Sequence, residues 1–127
     1  MKEDDLTSSL PEGRQLVEGY GPGRFTVAGQ LHEGALLLTM NETSAWAVGS
    51  HDEITLESLA FILDKSPSYE VLLIGTGAKS VLLPKALRSA IREKGPVAEC
   101  MGTGAAARTF NLLQTEGRRV AAALIAV

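Results

Sequence analysis

Three short, largely apolar runs in the second half of the chain constrain its fold most: Val71-Leu72-Leu73-Ile74, Val97 to Met101, and Val120 to Val127. Branched residues without polar alternation suit a strand covered on both faces. Segments of helical length separate these runs, and such crossovers imply parallel pairing with right-handed connections. The separating segments carry a helical period. Leu56, Leu59, Ala60 and Leu63 follow Thr55, a good N-cap, until Pro67 stops the chain. Pro84 suits the first turn of a second helix, with Leu87, Ala90 and Ile91 on one side and Gly95-Pro96 at its end. Thr103 to Glu116 reads as a third, with Ala106, Phe110 and Leu113 on one face and Gly117 as its stop. The second half is therefore a β-α-β-α-β layer, and the fold class is α/β.

The first half has a shorter period. Leu16-Val17 and Phe25-Thr26-Val27 flank the turn signal Gly21-Pro22-Gly23, and Glu33-Gly34 precedes Ala35 to Met40. Asn41 to Ser44 leads into Ala45-Trp46-Ala47-Val48. Four short strands with tight connections predict an antiparallel meander, with Trp46 in its core rather than serving as a stacking platform. Residues 1–13 are polar and read as a flexible tail; residues 14–127 read as one α/β domain of three layers, the meander packed with the parallel or mixed layer.

Composition narrows the function classes. Hydrophobic residues make up 45% and charged residues 21%, a globular balance. The net charge of −3 and the lack of a basic stripe argue against nucleic acid as a partner. A single cysteine, Cys100, allows no internal disulfide and no cysteine-rich zinc site, which predicts a reducing cytoplasm. The acidic opening Met1-Lys2-Glu3-Asp4-Asp5 resembles neither a secretory signal nor a transit peptide. No apolar run is long enough to insert into a bilayer.

Gly75-Thr76-Gly77 and Gly102-Thr103-Gly104 each follow a strand, where open α/β sheets place their clefts. Backbone amides at such turns attract anions. Neither phosphate motif is complete, however. A Walker loop needs glycine directly before Lys79-Ser80 and another five residues earlier, and Ala78 and Leu73 stand there. A dinucleotide fingerprint needs glycine where Ser80 stands, although Glu99 could meet its acidic requirement. No cofactor follows, and tight turns beside packed helices are the preferred reading. A binding rim remains open, formed by Gly75, Thr76, Gly77, Lys79, Thr103, Arg108 and Asn111, with Arg118 at the far end of the third helix. Alternatively, Arg108 is a solvated arginine, Asn111 bonds a neighbouring loop, and Arg118-Arg119 answers the helix dipole.

The remaining candidates point away from catalysis. His32, at a turn, and His51, before a helix cap, are far apart in sequence and make a poor metal site. Cys100, inside an apolar strand, is expected to be buried and inert. No serine nucleophile elbow is present.

Leu73-Ile74-Gly75-Thr76-Gly77, Met101-Gly102-Thr103, Ala106 to Leu113 and Glu116 to Leu124 together resemble a family of small domains of unknown function. That family includes the mitochondrial complex I (NADH dehydrogenase) assembly factor 3. Gly34 and Trp46 fit its pattern in the first half. Two positions depart: relatives often carry aspartate where Gly102 stands and cysteine where Ala107 stands, which removes any acid or thiol chemistry there. The resemblance implies a three-layer α/β domain and a protein partner belonging to a membrane respiratory complex, and it implies no reaction. The first expectation is therefore a non-enzymatic binding or assembly protein. The alternative is a small-molecule or anion-binding protein, or an enzyme, using the glycine-loop rim.

Overall fold

Side-chain alternation along the apolar runs divides the core in two. The computed structural model describes residues 14–127; the expected tail at 1–13 lies outside them. β6 (Val71–Gly75), β7 (Val97–Met101) and β8 (Val120–Leu124) form one sheet with β4 (Leu36–Leu38) and β5 (Thr43–Ala45), in the order β5-β4-β8-β6-β7. β6 pairs in parallel with β7 and with β8, whereas β4 runs antiparallel to β8 and β5. Leu36, Leu38, Leu73, Ala122 and Leu124 project to one face, and Leu37, Leu72, Ile74, Ala121 and Ala123 to the other. The period of two thus builds two apolar clusters on one sheet.

The first cluster face is covered by α3 (Thr103–Thr115) through Ala106, Ala107 and Phe110. Beside α3 lies a second sheet, β1 (Val17–Tyr20), β2 (Arg24–Val27) and β3 (Gln30–Glu33), which contributes Val17, Phe25 and Val27. The opposite face is covered by α1 (Ala60–Leu63), α2 (Lys85–Glu93) and the segment carrying Trp46, with Ile62 and Ile91 fully buried. The result is three layers, with the five-stranded sheet in the middle.

Among the described residues the first half holds five strands instead of the expected four, and they do not form one meander. β4 and β5 leave the small sheet and extend the large one. β3 was invisible to hydrophobic pattern because Gln30, Leu31 and Glu33 are exposed. Its pairing is set by the turn before it, where Ala28 (φ 51) and Gly29 (φ 81) are both left-handed, the geometry that matches strand twist in a two-residue hairpin. Trp46 is core as expected, but of the α1 side of the large sheet; its Nε1–H donates to the Ser58 carbonyl at 2.9 Å.

The first expected helix is shorter than its pattern. A 3-10 turn over Glu57–Leu59 leads into four residues of α-helix, and Thr55 and Ser58 bond each other's backbone N–H at 3.1 Å. Cys100 is half-buried, not sealed, because β7 is an edge strand. His32 lies within β3 and not at a turn. Arg118 and Arg119 turn away from the end of α3: Arg118 pairs with Glu70 at 2.8 Å, and Arg119 donates to the carbonyls of Pro67 and Ser68.

Candidate functional site

The two glycine loops lie side by side, and their polar groups are bonded to each other. Thr76 donates its N–H to the Met101 carbonyl at 2.9 Å. The Gly77 N–H donates to Thr103 Oγ1 at 3.0 Å, and the Thr103 N–H returns to the Gly77 carbonyl at 2.8 Å. Thr103 Oγ1 also donates to the Ile125 carbonyl at 2.7 Å and is fully buried. Thr76 Oγ1 bonds the Lys79 carbonyl at 2.6 Å and accepts the Val81 N–H at 3.0 Å, closing the following loop. The Thr76, Gly77 and Thr103 amides, three of those a phosphate cradle would draw on, are therefore engaged within the fold.

Gly75 explains why this junction needs a glycine. A Cβ there would stand 2.9 Å from Thr103 Cα, a backbone atom at the first turn of α3, and 3.1 Å from a Leu124 methyl. The absent side chain lets the helix seat on the strand end. Gly77 serves conformation instead: its φ of +104 is hostile to side chains, while the space around it is open.

What remains exposed at this end is an open depression lined by Tyr20, Gly77, Gly102, Gly104, Ala105 and Arg108. Tyr20 packs over Gly104 and accepts a hydrogen bond from Arg108 Nη1 at 3.1 Å. Lys79 is exposed on the loop next to Ala78, which also lines the depression. The sequence did not single out Tyr20. Its signal was the Gly21-Pro22-Gly23 turn beside it, which brings the β1 end to α3.

One expected rim residue, Asn111, stands elsewhere, and Arg118 lies at the far end of α3 as expected. Asn111 clamps β1: its Oδ1 accepts the Val17 N–H at 2.9 Å, and its Nδ2 donates to the Val17 carbonyl at 2.8 Å. Arg118 lies at the opposite end of the sheet, where Glu70 raises its pKa by hydrogen bond and by charge. Gly75, Thr76, Gly77 and Thr103 do meet, with Arg108 beside them. Among the described residues no group of three or more His, Cys, Asp or Glu is placed to hold a metal ion. None of the helices among them is long and apolar enough to cross a membrane.

The fold and sequence recur in known proteins. A model of the family described as Protein of unknown function (DUF498/DUF598) matches residues 17–125. The chain belongs to the DUF498/DUF598 family. It is 40% identical over 124 residues to an uncharacterised protein of Rhodobacter capsulatus, covering 98% of this chain and 90% of that protein. It is 35% identical over 120 residues to the mouse NADH dehydrogenase [ubiquinone] 1 alpha subcomplex assembly factor 3, covering 94% of this chain and 64% of that longer protein. Among solved structures, a crystal structure from Bordetella parapertussis superposes with a TM-score of 0.83 at 33% identity, covering 92% of this chain and all of the other. Kinship with a named assembly factor thus extends over nearly all of this DUF498/DUF598 domain. Ala107 is buried on the sheet-facing side of α3.

Proposed function

We infer that this protein is a non-enzymatic assembly or binding factor that works in the cytoplasm on a protein partner, a component of a membrane respiratory complex. The observation that carries the reading is the internal engagement of the glycine loops. Thr76 and Thr103, the hydroxyls nearest the strand ends, are hydrogen-bonded to backbone groups. A fold alone supplies no chemistry, and likeness to complex I assembly factor 3 across 94% of this chain supports protein contact as the role. In this reading Arg108 at the rim and Arg118 at the far end of α3 offer exposed guanidinium groups to partner carboxylates.

One observation favours a second reading, an anion or small-molecule site at the same rim: exposed Arg108 lines the open depression, and exposed Lys79 follows Ala78 of its lining in the chain. A single comparison separates the two. Tagged protein is captured from the source cells with co-purifying proteins and metabolites both identified, for wild type, Arg108→Ala and Arg118→Ala. Assembly predicts enriched respiratory-complex subunits, weakened in both variants while melting temperature holds. An anion site predicts a co-purifying metabolite whose thermal stabilisation is lost in Arg108→Ala alone. Absence of respiratory-complex subunits from the wild-type capture overturns the assembly reading.

A further inference from the structure

The strand edges of this protein are treated very unequally. The outer edge of β1 is sealed at Val17 by the side-chain amide of Asn111, and Gln114 donates to the Gln15 carbonyl just before it. β5 is three residues long, and Gln15 reaches across its approach to the Glu42 carbonyl at 2.8 Å and Thr43 Oγ1 at 2.9 Å. β7 has five residues and, among the described residues, pairs with β6 alone. Exposed edges of this length are normally blunted, because unpaired N–H and C=O groups template pairing with another chain.

The direction of the free groups follows from the ladder. Val97 N–H donates to the Glu70 carbonyl at 3.0 Å, and the Met101 carbonyl accepts from Thr76 at 2.9 Å. Alternation then turns Val97, Glu99 and Met101 toward β6 and points the N–H and C=O groups of Ala98 and Cys100 outward. Among the described residues the outward groups meet one side chain, the Ser80 hydroxyl, 3.5 Å from the Cys100 carbonyl. On the α3 side of the edge, Val97 is 44% exposed. Met101 touches Thr109, and Leu112, one helical turn on, is 56% exposed. Glu99 is exposed between Val97 and Met101.

We propose that β7 is a docking edge that takes an extended segment of a partner protein as a sixth strand, with a lysine or arginine of that segment facing Glu99. The inference rests on the protein-binding reading above and names the surface for it. Main-chain bonds at Ala98 and Cys100 supply affinity, and the alternating side chains supply selectivity. Charge decides against a second copy of this chain. Any two-fold antiparallel pairing that overlaps most of β7 sets Glu99 directly or diagonally opposite its own copy, where like charges repel. A basic segment gains instead from Glu99 and from the net charge of −3.

The test uses the purified full chain and a blocked peptide of alternating threonine and valine with one central lysine, beside the same peptide with central glutamate. Amide resonances of Ala98 and Cys100 should shift and their hydrogen exchange should slow on adding the lysine peptide. Binding of the lysine peptide should be about fivefold tighter than that of the glutamate peptide. Ala98→Pro removes an outward N–H and no bond to β6, so it should weaken binding about tenfold or more while the circular dichroism spectrum stays unchanged. Glu99→Lys should reverse the peptide preference and serves as the deciding variant if Ala98→Pro unfolds. Unperturbed amides at Ala98 and Cys100, or equal binding of the two peptides, overturns the proposal. So does a dimer in sedimentation that Ala98→Pro dissolves, which reassigns the edge to a second copy. A silent edge alongside retained capture of subunits from cells discards the edge and leaves the assembly reading standing.

Discussion

At the residue scale, the junction between β6 and α3 is held by one hydroxyl and one missing side chain. Thr103 Oγ1 serves Gly77 and Ile125 at once, in a fully buried position. Thr103→Val keeps the shape and deletes both bonds, leaving buried groups unpaired, so a loss of about 1–3 kcal/mol is expected in urea unfolding. A midpoint equal to wild type would show that the stitch contributes nothing. Gly77→Val meets open space but a φ of +104, so its cost of about 1–3 kcal/mol is purely conformational. Gly77→Asn, better suited to left-handed backbone, should lose clearly less, and equal losses would disprove that cause. Arg118 behaves differently. It is exposed in its pair with Glu70, and exposed pairs are weak. The folded pKa is raised, so any stability from the pair is complete below the unfolded arginine value and is lost as pH rises through the folded one. Arg118→Ala should therefore leave the melting temperature unchanged at neutral and mildly acidic pH; a marked drop there would make Arg118 structural.

At the element scale, β8 is the strand on which both core clusters rest. Its Ala121, Ala122 and Ala123 are fully buried; the small Ala122 faces α3 and lets the helix lie close on the sheet, while Ala121 and Ala123 face the opposite cluster. Ala122→Leu inserts volume against α3 and should cost about 1–3 kcal/mol by overpacking. An unchanged or raised denaturation midpoint would mean the α3 face holds unfilled space. The second-half elements were legible in the sequence because β6 and β8 are continuous apolar runs and α3 carries an apolar helical period. β3 was not, since its exposed residues carry no pattern and a left-handed turn sets its register. The sheet that β4 and β5 would join was equally unreadable. Leu36-Leu37-Leu38 pairs with β8 some eighty-five positions on, as at Leu36 and Leu124 (124 − 36 = 88), and local sequence does not encode that choice. At the site, loop position predicted that Gly75, Thr76, Gly77 and Thr103 meet near Arg108. It did not reveal that Asn111 is a clamp for β1, because the amide's partner lies in a strand 94 residues away.

At the scale of the whole molecule, the layers separate two ends of one sheet. The carboxyl ends of β6 and β7 carry the stitched loops, Tyr20 and Arg108. The other end carries Glu70, Arg118 and Arg119, and the β7 edge runs between them. The bonded amides of Thr76, Gly77 and Thr103 and the open β7 edge are the features on which the proposed protein-binding role rests. In the proposed function this protein promotes assembly of a respiratory complex through protein contact. The most direct measurement deletes its gene in the source organism and quantifies assembled complex I on native gels. Wild type, Thr103→Val and Arg108→Ala are each then restored at equal expression. The account predicts a reduced level of assembled complex with unchanged subunit transcripts, full recovery by wild type and incomplete recovery by Arg108→Ala. Assembled complex at the parental level in the deletion strain would contradict it.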